Sequence, residues 1–209
     1  MRVALAWTNN MKRCVGPGRG RFAWLAMAAL VVSAALPGTA AARNWNPFSA
    51  ESAYKFSLTG KVVHVADGDT FTLLVEGERQ RIRMASIDAP EITKGPDRPG
   101  QPMAQVSRRT LSDLIAGRTL TLQCFEKDRY GRNICDVPLP DGPTANRQMV
   151  AKGMAWVNME GRGKFMRDRA LPELEQKAKQ ERLGIWRDAT PIPPWVWRYD
   201  CWKLSQCGR

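Results

Sequence analysis

Apolar positions along the chain recur at two periods, one of about two residues and one helical. LTGKVVHVA (58–66) is rich in Val with partial alternation and predicts a β-strand. Asp67-Gly68-Asp69 then reads as a turn, because Gly and Asp tolerate unusual backbone angles. TFTLLV (70–75) predicts a second strand, and Glu76-Gly77-Glu78 a hairpin turn. A third strand follows over 79–87, with Arg79, Arg81 and Arg83 on one face. Residues 90–101 form a Pro/Gly-rich loop. Helical spacing takes over at 102–116 and stops at Gly117. Two more strands are predicted over 118–125 and 132–137, around a polar loop from Glu126 to Gly131. Helices are predicted over 143–152, with Pro143 near its first turn and Gly153 at its end, and over 168–183. The latter carries Pro172 in its first turn, Glu173–Lys177 and Glu175–Lys179 pairs at i,i+4, and Gly184 beyond its end. Between them, 154–157 reads as a short extended segment.

Three strands, a helix, two strands and then helices predict an α+β domain over 58–187. Its expected core is a five-stranded OB-fold barrel, the oligonucleotide/oligosaccharide-binding type, with about three packed helices. Residues 43–57 read as an N-terminal linker and 188–209 as a Pro/Trp-rich tail. That tail has no usable periodicity. Its Trp195, Trp197 and Trp202 are expected to pack back on the barrel, the alternative being a patch for a partner.

Residues 1–42 follow a different pattern. Arg2, Lys12, Arg13, Arg19 and Arg21 precede an apolar run from Phe22 to Leu36 in which only Ser33 is polar. The run is shorter than the ~20 residues that span a bilayer. Pro37 and Gly38 break it, and Ala40-Ala41-Ala42 supplies a small-residue cleavage pattern. Together these features describe a signal peptide cleaved near Ala42, and place the mature protein in the periplasm or outside the cell. No adjacent Arg-Arg pair supports a twin-arginine signal. The mature chain is expected to be a monomer without stable membrane association.

Composition narrows the chemistry. The 209 residues include 32 Lys+Arg, 20 Asp+Glu and one His, for a net charge of +12. Five basic residues and no acidic one fall in 1–42, so the mature chain stays basic at +7. An anionic partner is expected. With His64 alone, nucleases built on paired histidines and His-rich zinc sites are excluded, and His64 itself is expected to have no catalytic role. Any chemistry must run on carboxylates and arginines, with or without a metal. Of five cysteines, Cys14 leaves with the signal; Cys124, Cys135, Cys201 and Cys207 remain, an even number suited to disulfides in an oxidising compartment. Local pairing, 124–135 and 201–207, is the simplest of three connectivities. Zinc is the rival, without a C-x-x-C spacing to support it.

Three motifs carry candidate chemistry. Asp67-Gly68-Asp69-Thr70 offers hard oxygen ligands in a tight turn. Arg83-Met84-Ala85-Ser86-Ile87-Asp88-Ala89-Pro90-Glu91 places an Arg, an Asp and a Glu at a strand end. Strict alternation would put Arg83 and Asp88 on opposite faces, so they share a site only if the strand bends or ends between them. Asp128-Arg129-Tyr130-Gly131-Arg132 lies at the hairpin between the fourth and fifth strands. Alone, the first reads as a hairpin turn, the second as solvated charges or a weak surface salt bridge, and the third as a charged turn.

In this order on a five-stranded pattern, the three motifs resemble those of the staphylococcal nuclease (thermonuclease) family. The resemblance implies a Ca²⁺ held by Asp69, Asp88 and the backbone carbonyl of Ala89, with Asp67 acting through water. It implies that Arg83 and Arg132 grip the scissile phosphate, that Glu91 takes a proton from the attacking water or orients it, and that Arg129 and Tyr130 stand close to the substrate. It further implies a phosphodiesterase acting on DNA and RNA with little sequence preference, favouring single strands and leaving 3′-phosphates. The base-contacting tyrosines of some members are replaced here by Asn158, Met159, Glu160 and Gly161; nearby Trp156 reads as core. A non-catalytic binding module on the same fold is the alternative. A lipid-facing envelope protein is a third reading, and it would leave the acidic cluster without a use.

Overall fold

The structure, a computed structural model, describes residues 54–207. The expected signal peptide and most of the expected linker lie outside the described residues. Five strands close a barrel in the order β1-β2-β3-β6-β5: β1 (Phe56–Val65), β2 (Thr70–Val75), β3 (Glu78–Met84), β5 (Thr119–Lys127) and β6 (Asn133–Asp136). All pairings are antiparallel except β3 with β6, which is parallel. This is the expected OB-type barrel. β1 starts at Phe56, two residues before its predicted limit, because Phe56 and Ser57 pair with Cys124 and Gln123 of β5.

Alternation decides what fills the barrel. Leu120, Leu122 and Cys124 of β5, and Ile82 and Met84 of β3, point inward beside Val62, Phe71 and Leu73. Three helices cover this core: α1 (Ala104–Ile115), α2 (Ala145–Ala151) and, beyond the one-turn α3 (Glu160–Gly163), α4 (Leu171–Gln180). They contribute Leu111 and Ile115, Met149 and Val150, and Leu171. Thr144 caps α2 by accepting the Arg147 N–H at 3.2 Å. α4 begins three residues later than its pattern suggests, because Asp168 stays outside: its carboxylate accepts the Ala170 N–H and pairs with Arg147. The Glu175–Lys179 pair forms at 2.6 Å, whereas Lys177 turns to Glu181 rather than Glu173. The glycines that end α2 and α4 meet each other. A Cβ on Gly184 would lie 2.1 Å from the Gly153 carbonyl oxygen, which accepts the Ile185 N–H.

The third strand departs from its predicted span of 79–87. β3 stops at Met84, and Ser86 adopts a left-handed φ of 66°. Ile87–Asp88 then forms β4, which pairs antiparallel with β7 (Trp156–Val157). Four polar groups of this bend are taken up by neighbouring segments. The Ala85 N–H donates to Cys135, its carbonyl accepts from Asn146 Nδ2, and the Ser86 carbonyl accepts from the Asn158 N–H. Ser86 Oγ accepts from the Arg167 N–H.

The disulfides are the local pairs Cys124–Cys135 and Cys201–Cys207. Cys124 and Cys135 are direct partners in the β5–β6 register, so their side chains face each other. The tail forms a single helical turn α5 (Pro194–Trp197) and a wider turn over Arg198–Lys203, and its Trp197 and Trp202 indoles reach the Pro99 carbonyl of the loop after β4.

Asn146 gives the bend a test. Its amide, 1% exposed, joins Ala85, Val137 and Asp136. Asn146→Ala orphans the Val137 N–H and the Ala85 carbonyl. We expect a loss of about 2–4 kcal/mol, measured as a lower urea midpoint at unchanged slope.

Candidate active site

The loop Asp67–Thr70 ties β1 to β2 and folds over its own carboxylates. Asp67 Oδ1 accepts the Asp69 N–H at 3.1 Å, and the Asp67 N–H donates to the Thr70 carbonyl. Gly68 is required here by close approach, since a Cβ would fall 1.9 Å from Ser107 Oγ of α1. The result aims Asp69 inward. Its Oδ1 accepts from Thr70 Oγ1 and its Oδ2 from the Ala89 N–H at 2.7 Å, so the first motif grips the second directly.

Arg83 sits at the centre. Nη1 donates to the carbonyls of Met84 and Ile87, both at 2.8 Å, and so spans the bend. Nη2 donates to Asp88 Oδ1 at 2.8 Å and lies 3.3 Å from Asp69 Oδ2. The bend therefore turns Asp88 back onto the face that Arg83 occupies, which alternation alone would forbid. Glu91 enters on the loop that follows. Its backbone exchanges two hydrogen bonds with Gln101: its N–H donates to Gln101 Oε1 and its carbonyl accepts the Gln101 N–H. Its carboxylate takes Lys94 Nζ on Oε2 at 2.6 Å.

The third motif forms a separate cluster on the same sheet face. Arg83 pairs with Ile134 in the parallel β3–β6 register. Arg132 precedes Ile134 by two residues, so it projects on the same side, roughly 7 Å along the strand. Asp128 fixes it, accepting from Arg132 Nε at 2.8 Å and from the backbone N–H of Arg132 and Tyr130. Against the burial that raises it, these bonds hold the Asp128 carboxyl below its usual range. Tyr130 is exposed, with the Arg129 guanidinium 4.8 Å and that of Arg132 5.6 Å from its ring centre. Trp156 is buried edge-to-face on Trp186 and belongs to the core. His64 lies on exposed β1 surface, paired with Thr72.

One residue of the site has no signal in the sequence. Arg198, from the tail, donates Nη2 to Asp88 Oδ2 at 2.8 Å and Nη1 to Asp88 Oδ1 at 3.2 Å and Glu91 Oε1 at 2.8 Å. Glu160 lies 3.8 Å from the same guanidinium. Neither periodicity nor motif points to Arg198; only the neighbouring cysteine pair hints that the tail is anchored.

The cluster carries more negative charge than its arginines cancel. Burial and the neighbouring Asp69 charge push Asp67 up to about 7. Burial raises Asp88 despite Arg83 and Arg198, while Asp69, with Arg83 and the Ala89 N–H on it, is held low against the same burial. This all-oxygen set suits a hard divalent cation, which would relieve that excess. Among the described residues no three His, Cys, Asp or Glu side chains close on a single point. A cation held by Asp69, Asp88 and the Ala89 carbonyl would therefore complete its shell from water.

The family model described as "Staphylococcal nuclease homologue" matches residues 81–188. An uncharacterized endonuclease of Escherichia coli O157:H7 is 40% identical over 140 residues, covering 67% of this chain and 84% of that protein. A micrococcal nuclease of Shigella flexneri is 39% identical over 147 residues, covering 66% and 79%. The staphylococcal-like nuclease CAN1 of Arabidopsis thaliana is 29% identical over 124 residues, 59% of this chain and 35% of that one.

Asp67 tests the charge excess. Its carboxyl ionises near 3.8 in the unfolded chain and about 7 in the folded one, so the ionised form costs stability. That cost is absent below about pH 3.8, grows through the interval and is complete above about 7. Asp67→Asn keeps the acceptor for the Asp69 N–H. In chelator it is expected to stabilise the protein by about 1–2 kcal/mol at pH 8 and by nothing at pH 3.5, read from melting curves.

Proposed function

The chain belongs to the staphylococcal nuclease family and is a phosphodiester-hydrolysing nuclease, and from that premise we propose that it is an exported, Ca²⁺-dependent endonuclease acting on both DNA and RNA, with single strands favoured. The observation that carries this reading is the meeting of Arg83, Asp69, Asp88 and Glu91, from three chain segments, at one corner of the barrel.

A phosphodiester is an anion, and attack by water adds charge to its five-coordinate transition state. In our reading Arg83 and Arg132 neutralise that charge, because guanidiniums stay protonated and present a planar fork to phosphate oxygens. Glu91 takes the water's proton or orients the water. Attack at phosphorus breaks the bond to the 5′ oxygen, which leaves as an alcohol, and the other product keeps a 3′-phosphate. Ca²⁺, when bound by Asp69, Asp88 and the Ala89 carbonyl with Asp67 acting through water, supplies Lewis-acid stabilisation. Arg129 and Tyr130 flank the phosphate track. A basic surface gathers the polyanion through its backbone, which makes binding sequence-tolerant and salt-sensitive. Exposed aromatics such as Tyr130 suit unstacked bases better than a closed duplex.

Export is supported by the N-terminal pattern and by two disulfides, bonds that persist in oxidising compartments. We propose that the mature chain works as a monomer without stable membrane attachment.

Arg132→Ala is the cleaner arginine test, because its partner Asp128 lies on a surface hairpin. Cutting of single-stranded DNA and of RNA in Ca²⁺ is expected to fall about 10²–10³-fold in kcat, with the melting temperature nearly unchanged. Excess chelator should abolish cutting by the unsubstituted protein. Persistent cutting in chelator would defeat the metal-dependent reading. Binding to single-stranded DNA should weaken steeply between 50 and 200 mM salt, roughly as the number of phosphates contacted.

A further inference from the structure

The tail contributes more than packing. Arg198 bonds the two oxygens of Asp88 and one of Glu91 with a single guanidinium. Its acceptors are almost wholly buried, and its own side chain is 32% exposed, at the mouth of the site. A lone ion pair at a surface contributes little and fixes nothing. This one is different because the backbone that carries it is tied down on both sides. The indoles of Trp197 and Trp202 both donate to the Pro99 carbonyl, at 3.0 and 2.9 Å. Cys201, 2% exposed and inside the turn Arg198–Lys203, is tied by a disulfide to Cys207 just beyond it. Gln101 Nε2 donates to the Ile192 carbonyl, while Gln101 Oε1 holds the Glu91 N–H.

Tail and loop 89–101 are therefore one unit. Glu91 sits in a loop rich in Pro and Gly, outside every strand and helix, and among the described residues its carboxylate is held by two cations, Lys94 and Arg198. Lys94 comes from the same loop. Arg198 is the one that links Glu91 to Asp88, the residue fixed by the barrel bend. We propose that Arg198 is a positioning residue of the nuclease reaction, delivered by the disulfide-closed tail, which sets the orientation and spacing of Glu91 and Asp88. The inference rests on the nuclease reading of the site. It makes the tail part of the working enzyme, although the tail lies outside the matched residues 81–188.

The test uses the full, disulfide-bonded protein as wild type, Arg198→Ala, Arg198→Lys and, as a tail control, Tyr199→Ala, whose side chain is exposed. Kinetics on single-stranded DNA and calorimetric Ca²⁺ titration are run on each. Arg198→Ala is expected to lose 10–100-fold in kcat and to bind Ca²⁺ more weakly, the usual cost of removing a partner that orients ligands. KM should move less than about threefold, since the loss falls on the chemical step. Arg198→Lys should recover part of kcat, because an ammonium reaches one carboxylate but cannot fork across both. Tyr199→Ala should match wild type. Wild-type kcat in Arg198→Ala would overturn the assignment and leave the nuclease reading standing. So would tighter Ca²⁺ binding, which would make the guanidinium a competitor of the metal. If the wild type itself fails to cut, the nuclease reading falls and the assignment of Arg198 falls with it.

Discussion

The site depends on the backbone bend at Ala85–Ser86. A strand sends successive side chains to opposite faces, so residues five apart, such as Arg83 and Asp88, cannot meet on a straight one. The left-handed Ser86 resets that alternation. A non-glycine residue there is strained, by on the order of 1–3 kcal/mol, and persists only where its surroundings over-determine it. Cys135, Asn146, Asn158 and Arg167 do so from four directions. Arg83 adds a fifth hold, since its own guanidinium bridges the carbonyls of Met84 and Ile87. The residue read as a phosphate clamp is therefore also the brace of the turn that presents its neighbours.

Charge compensation is the second constraint. Buried carboxylates are costly unless each finds a cation or hydrogen-bond donors. Asp69 and Asp88 are satisfied through Arg83, Arg198, Thr70 and the Ala89 N–H, and their pKa directions diverge: burial raises Asp88 despite its two guanidiniums, while Arg83 and the hydrogen bonds on Asp69 hold it low against the same burial. Asp67 is left with the least help and ends near neutrality. A cluster balanced in this way is poised for an additional positive charge, which is what a divalent cation would bring.

The helices and disulfides serve this corner. Glu175 of α4 accepts the Val157 N–H and steadies β7, against which Asp88 is paired. Ser107 of α1 packs on Gly68 and so sets how closely the Asp67–Asp69 loop approaches Ala89. Cys124–Cys135 staples β5 to β6 at the end where the strand pair meets the bend, through the Cys135 carbonyl. Cys201–Cys207 does the same for the turn that carries Arg198.

Much of this was legible in the residues alone. Alternation marked the five strands, and Gly117, Gly153 and Gly184 marked helix ends, because these signals are local and follow from backbone geometry. Motif order placed Asp69, Asp88, Arg83 and Glu91 together, and proximity in sequence singled out both cysteine pairs. The exact stop of β3 was not legible, since Met84 to Ile87 is as strand-like in composition as what precedes it; contacts from β6, α2 and the 158–167 segment break it. The start of α4 was equally hidden, because Arg147, 21 residues away, engages Asp168. Arg198 was the least visible, lying about 110 residues from Asp88 in a tail without periodicity. Local pattern specifies elements, but which distant cation neutralises a buried carboxylate is decided only when the chain closes on itself and desolvation makes that partner necessary.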